Sequence, residues 1–277
     1  MKNNIIPGLG LSVCIALIGI YFSDFLGTEI MGFDKSPISS IMFAIILGFI
    51  LGNIVNFSNL FHSGSGIFLP GIDFGITTLL RLGIVFLGIR LGLGDIFELG
   101  LTALPIIVIC LISALIIVIY LSKKLKISSR MAILIAVGTS ICGTSAIVAT
   151  APAINANKEE ATYAIANITV FGIIAMFLYP FFANYMFSSN EYAAGLFIGT
   201  SIHETAQVAG AGLIYAEQFN SETALDVSTV TKLARNTSMI IIIPIMSFIY
   251  HRKKNLNSQN SKVRILKILP LFIFGFI

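Results

Sequence analysis

Apolar runs about as long as a membrane is thick follow one another along this chain, separated by short polar stretches. They lie near 5–22, 38–56, 67–90, 101–121, 131–154, 161–186, 192–216 and 227–250. A helix needs about 20 such residues to cross the hydrocarbon of a bilayer, so the pattern predicts eight spanning helices. A ninth run opens near 265 and reaches Ile277 after thirteen residues, too few to cross. Its end, LFIFGFI, has no polar tail, which predicts a chain incomplete at its C-terminus. The first run lacks a clear small-residue cleavage site and is followed by more spans, so it reads as a retained helix.

Composition agrees with the pattern. Only 11% of the residues are charged and 56% are hydrophobic, with a mean hydropathy of +0.95. A soluble domain carries about 25% charged residues. The expected fold is an all-α, polytopic transmembrane bundle, one integral domain over 1–277. The net charge of +4 reports topology in such a protein, not nucleic-acid binding. With the N-terminus in the cytoplasm, parity puts the 122–130 and 251–264 loops inside. Inside loops and the N-terminus then hold ten Lys and Arg, and outside loops two, Lys35 and Lys158. A basic excess marks the cytoplasmic side.

A short set of ionisable residues remains at membrane depth: Asp73, Arg81 and Arg90 in the third run, His203 and Glu204 in the seventh, and Lys232 and Arg235 in the eighth. Lys232 and Arg235 are three apart and share a helix face. A charge facing lipid costs at least about 2.5–3.5 kcal/mol, so these groups should face the bundle interior, a wet cavity or one another. Arg81 with Glu204 is one structural pairing, and Arg90 can snorkel to the interface. Four cations against two acids leave positive charge over, which favours an anionic solute over a metal cation.

Two runs are interrupted by polar residues. The fifth contains GTSICGTS and the seventh GTSIHETAQ; GTSI occurs at 138–141 and 199–202, and Thr144 and Thr205 follow at the same offset. Glycine and hydroxyl residues weaken helix, and irregular backbone at this depth survives only inside protein or along a cavity. Broken helices of this kind line substrate sites in secondary transporters, and the N-terminal N–H groups of the half-helix after a break suit an anion. Small residues also serve plain helix packing. An inverted repeat requires the two broken helices to run in opposite directions, yet a single crossing, 161–186, separates them. Either one segment is re-entrant, or GTSI is not the repeat signature.

Other chemistries lack their residues. HExxH needs a second histidine at 207, which is Gln; His62 and His251 fall in expected loops. Cys14, Cys110 and Cys142 sit in apolar runs without CxxC spacing and read as small buried hydrophobes. No enzyme activity, metal or cofactor is expected.

The stretches LGIVFLGIRLGLGDI (83–97), GTSICGTSAIVATAPAI (138–154) and GTSIHETAQVAGAG (199–212) together resemble the YeiH-like sulfate exporter family of bacterial membrane proteins. That family is similar in fold to cation/proton antiporters and anion transporters, with a panel domain and a core of crossed, broken helices. The resemblance implies a secondary transporter in the bacterial inner membrane, multi-pass, with sulfate or a related oxyanion as solute. The family motif maps onto Gly138, Thr139, Ser140, Gly143, Thr144, Ser145, Ser201, His203, Glu204 and Gln207.

The combined expectation is a proton- or ion-coupled transporter of a small anion. Gly138, Thr139, Ser140, Gly143, Thr144, Ser145 and Ser201 form the substrate site, with Arg81, or Lys232 and Arg235, supplying charge. His203, Glu204 and Gln207 form the coupling group. The expected partners are the lipid bilayer, the anion and a coupling proton or sodium ion, with no nucleic acid; homodimerisation stays open. An uncoupled anion channel and a membrane-embedded structural subunit are the alternatives.

Overall fold

The computed structural model describes residues 5–26, 39–54, 67–79, 82, 93–187 and 189–255. Arg81, Arg90, His62 and the run from 265 lie outside the described residues. Among the described residues the regular structure is helical throughout: α1 (Ile6–Asp24), α2 (Ser40–Ile54), α3 (Leu69–Phe74), α4 (Leu93–Lys124), α5 (Ser129–Ser140), α6 (Thr144–Ala153), α7 (Lys158–Phe187), α8 (Glu191–Ser201), α9 (Thr205–Phe219), α10 (Glu222–Thr237) and α11 (Met239–Asn255). A π-helical turn, Gly75–Leu79, continues α3. This is the all-α, polytopic bundle with broken helices that the apolar pattern predicts.

Within the described residues, α1, α7 and the Leu99–Lys124 part of α4 are each long and apolar enough to cross a membrane. α10 and α11 meet the same criterion only together, as a pair bent by 42° where they join. The long helices turn large apolar side chains outward, such as Ile109 and Ile116 on α4 and Phe171 and Leu178 on α7, all at least 60% exposed. A band of that kind is a lipid-facing surface.

The N-terminal helices form one layer. α1 and α2 run antiparallel, with Gly19 against Ala44 and Phe22 stacked on Phe43 at 5.6 Å between ring centroids. The layer is tied to the rest of the bundle at α2's first turn. There the Glu217 carboxylate of α9 accepts bonds from the Ser39 hydroxyl, the Ser40 N–H at 3.2 Å and the Ser40 hydroxyl at 2.9 Å.

α7 is the ruler for the remaining helices. Its first turn is closed by a reciprocal cap: Glu160 N–H donates to Asn157 Oδ1 at 2.7 Å and Asn157 N–H donates to Glu160 Oε2 at 3.1 Å. α5 starts beside this turn, where the Ser128 hydroxyl donates to Glu160 at 3.2 Å and Arg130 lies 3.8 Å from it. α5 then climbs to the middle of α7, where Gly138 packs on Ile168. From there α6 turns back. Its last residue, Ala153, offers its carbonyl to Ser247 Oγ at 3.1 Å and His251 Nε2 at 2.9 Å on α11. The neighbouring Tyr250 hydroxyl accepts from Arg130 Nε at 3.1 Å, at the start of α5. The start of α5 and the end of α6 therefore lie at one end of the bundle.

α8 and α9 repeat this from the other end of α7. Phe197 of α8 packs on Tyr179, Phe182 and Phe187 near the end of α7. After the break, α9 runs outward again: Gln207 lies on Gly172, Gly210 on Met176, and Phe219 on Phe181.

The segments 131–154 and 192–216, expected as full crossings, are thus two re-entrant hairpins. The physical reason is their interrupted centres. Each half has ten to fifteen residues, roughly 15–22 Å of helix at 1.5 Å per residue, about half of a bilayer or slightly more. With the helix broken there, the second half folds back. The hairpins enter from opposite ends, so α5 and α8 point at each other, as an inverted repeat requires. GTSI ends both. His251, expected in a loop, lies in the last turns of α11.

Candidate functional site

The hairpin tips meet at the centre of the bundle. The first half-helices end at Ser140 and Ser201, and the chain restarts as helix at Thr144 and Thr205. The tips touch: a Cβ on Gly143 would lie 3.5 Å from Glu204 Cβ, and the Glu204 carboxyl lies against the Thr144 side chain. Gly143 has φ +67° and its N–H closes the first tip onto the Gly138 carbonyl at 2.9 Å. A positive φ of this kind is easy for glycine and costly for other residues. The second tip is extended instead, with ψ near 140° at both Ile202 and Glu204.

Each break leaves two sets of unpaired backbone groups: carbonyls at the end of the first half-helix and N–H groups at the start of the second. The carbonyls are taken by α10. Lys232 Nζ donates to Ile141 O at 2.9 Å, to Ile202 O at 3.1 Å, and to His203 O. Arg235 donates from Nε to Ser140 O at 2.7 Å, from Nη2 to Thr139 O at 2.7 Å, and from Nη1 to Thr200 O. Both cations are buried, Lys232 completely. The two repeats are read at matching positions, Thr139 with Thr200 and Ile141 with Ile202. α10 comes this close because Gly195 and Gly199 of α8 face it; a Cβ on Gly199 would meet the Ser228 carbonyl oxygen at 2.7 Å.

The N–H groups are treated differently. At the ends of the bundle, α5, α7, α8 and α10 are capped by Ser128, Asn157, Asn190 and Ser221 side chains. At the centre, α6 and α9 have no side-chain cap. Each such N-terminus carries about half a positive charge. Around them stand Thr144, Ser201, His203, Glu204 and Thr205, all half-buried, and Ser145, which is exposed. Glu204 is near enough to Lys232 for their charges to attract.

The expected site residues separate into groups. Thr144, Ser145, His203 and Glu204 line the junction of the tips. Thr139 and Ser140 contribute carbonyls to Arg235, and the Ser140 and Ser201 hydroxyls bond back to their own helices, on Val137 and Phe197. Gly138 and Gly143 shape the first tip. Gln207 is buried on α7, its amide donating to the Thr169 carbonyl at 3.3 Å. Lys232 and Arg235 face the tips, with their donors on backbone carbonyls. Arg81 lies outside the described residues. Asn236 was not among the expected residues; its amide donates to Thr205 Oγ1 at 3.1 Å. The signal was its place in the sequence, next to Arg235 and four beyond Lys232. Among the described residues, no group of three or more His, Cys, Asp or Glu is placed to hold a metal ion.

The family described as Conserved hypothetical protein 698 matches residues 7–277. Among curated proteins, the chain is 34% identical over 272 residues to a membrane protein of Streptococcus agalactiae serotype V, covering 98% of this chain and 75% of that one. It is 36% identical over 244 residues to a membrane protein of Fusobacterium nucleatum, covering 87% and 66%. It is 32% identical over 276 residues to the inner membrane protein YeiH of Escherichia coli K12, covering 98% and 73%. No solved structure matches.

Proposed function

The chain belongs to the family described as Conserved hypothetical protein 698, which includes membrane proteins of several bacteria, and from that premise we propose that it is a secondary transporter of a small anion. One observation carries the reading. The two half-helix C-termini at the centre are neutralised by Lys232 and Arg235, while the two N-termini beside them are uncapped. The junction therefore keeps a positive potential that an anion satisfies. N–H groups of α6 and α9 and the hydroxyls of Thr144, Ser145 and Thr205 supply donors suited to an oxyanion such as sulfate.

Glu204 is the coupling group. Its carboxylate lies at the same junction, so charged it opposes the anion and protonated it admits it. His203 is its neighbour at the tip and the second member of the coupling group. Alternating access follows from the two opposed hairpins, each of which closes one path to the centre. The bundle end that holds Lys123, Lys124, Arg130 and the last turn of α11 is the cytoplasmic end. In this reading α1 starts at that end: α2 starts at the opposite end, beside Glu217, and α1 runs antiparallel to it.

The test is uptake of labelled sulfate into proteoliposomes, with and without an imposed pH gradient, for wild type and Glu204→Gln. Gradient-driven uptake that the variant loses is the expected result. Uptake indifferent to the gradient in both proteins makes the molecule a channel. No uptake of sulfate, phosphate or a small sulfonate by wild type removes the anion reading.

A further inference from the structure

Interrupted helices in transporters present two kinds of ion-binding backbone. Their N-termini attract anions, and their C-termini and unwound carbonyls coordinate a coupling cation such as sodium. In this protein the second kind is fully assembled. Ile141 O, Ile202 O and His203 O, drawn from the ends of two opposed half-helices, converge on one point at the centre of the bundle, and Lys232 Nζ occupies that point.

We propose that Lys232 is a tethered resident cation filling a carbonyl cage that would otherwise bind a free monovalent cation, so that the protein needs no sodium. The geometry fits an ammonium: three acceptors for the three N–H donors of –NH₃⁺. The oxygens are hard, uncharged ligands of the type that hold alkali cations in membranes. Lys232 is completely buried and comes from α10, a helix outside both hairpins, so it joins the cage without being part of it. Arg235, one turn further on, holds the next three carbonyls and keeps the cage in shape when Lys232 is shortened. The inference deepens the transporter reading by naming the coupling ion it excludes, but the cage itself does not depend on transport.

The experiment therefore reads stability first. Purified protein in detergent is heated in sodium chloride or choline chloride of equal ionic strength, for wild type, Lys232→Ala and Lys232→Met. Wild type should melt at the same temperature in both salts. Lys232→Ala empties the cage and leaves room for an ion, so sodium should raise its Tm by about 3–5 °C at tenfold excess over the dissociation constant. Lys232→Met fills the same volume with an apolar chain and should gain nothing from sodium. Specific stabilisation of wild type by sodium overturns the proposal, and does so even if neither variant folds. Equal melting of Lys232→Ala in both salts overturns it as well. In proteoliposomes, an imposed sodium gradient should leave wild-type uptake unchanged. Uptake driven by the sodium gradient would overturn the exclusion of sodium, whereas no uptake under any gradient, with the melting results intact, would count against the transport reading and not against the cage.

Discussion

The two re-entrant hairpins share a framework and differ in chemistry. Both end their first half on GTSI, both give matching carbonyls to α10, and both restart on a threonine. At the turn itself, the first hairpin has Cys142 and Gly143, and the second has His203 and Glu204. The first tip is curled tightly through the positive φ of Gly143, whereas the second is extended. A cysteine and a glycine make a compact turn, with the thiol buried. A histidine and a glutamate need room and give the junction its ionisable groups. One hairpin thus supplies a fixed wall, and the other carries the side chains that can change charge.

The strongest way to break the comparison is to remove what both hairpins share. Arg235→Leu leaves three buried carbonyls, from both repeats, without donors. Each buried carbonyl left without its donor costs about 1–3 kcal/mol, so the variant should be recovered largely unfolded, read as the fraction surviving size-exclusion chromatography in detergent. Arg235→Lys keeps the charge without the planar three-way fork and should recover only part of the loss. A stable Arg235→Leu variant would show that the tips hold together without α10.

Next in size is a pair of glycine substitutions, one in each hairpin. At Gly199 a new methyl meets backbone, the Ser228 carbonyl oxygen at 2.7 Å, and the branched Thr231 Cβ at 2.8 Å. At Gly138 it meets the ends of movable side chains, Ile168 Cδ1 at 2.2 Å and Ile147 Cδ1 at 2.9 Å. Overpacking costs about 1–3 kcal/mol, and Gly199→Ala should fall at the upper end, Gly138→Ala at the lower. Thermal unfolding of the two variants side by side checks the order. The reverse order would mean that the first hairpin is packed on α7 less forgivingly than the second is on α10.

The chemistry is compared by changing equivalent tip residues. Cys142→Ser, in the fixed wall, should leave gradient-driven uptake within about twofold of wild type. His203→Ala should lower it by about tenfold, roughly 1.4 kcal/mol. Equal losses would make the tips chemically alike.

Much of this site is legible in the chain itself. The hydroxyl and glycine clusters at 138–145 and 199–205 mark both breaks, because such residues cannot sustain helix at membrane depth. The spacing of Lys232 and Arg235 puts them on one face, and that face does meet the tips. What they bond to was not legible: a surplus of cations suggests a missing anion, but backbone carbonyls carry no formal charge and do not enter such a count. The hairpins were hidden for a different reason. A broken span and a re-entrant pair have the same length and the same apolar content, and only tertiary contacts such as those of Arg130 and Ala153 with neighbouring residues of α11 separate them. His203 and Glu204 were visible as polar residues in an apolar run, whereas Asn236 was visible only once the buried face of α10 was known.

The smallest expected effect lies at the bundle end where the first hairpin enters. Arg130 and Glu160 are 3.8 Å apart with side chains 37% and 15% exposed, a pair open to water on one side. Such exposed pairs contribute little, so Arg130→Gln should leave stability almost unchanged, and any shift should shrink further in high salt. Glu160 does more than pair with Arg130. It also caps α7 and accepts from Ser128, tying the start of α5 to the long helix. Glu160→Ala should therefore cost more than Arg130→Gln, adding a cap loss of about 1 kcal/mol. The double variant separates the two contributions: its cost should fall short of the sum of the singles by the worth of the ion pair alone. A sum that is fully additive would show that the hairpin is anchored by the cap and the Ser128 bond, with the charges contributing nothing.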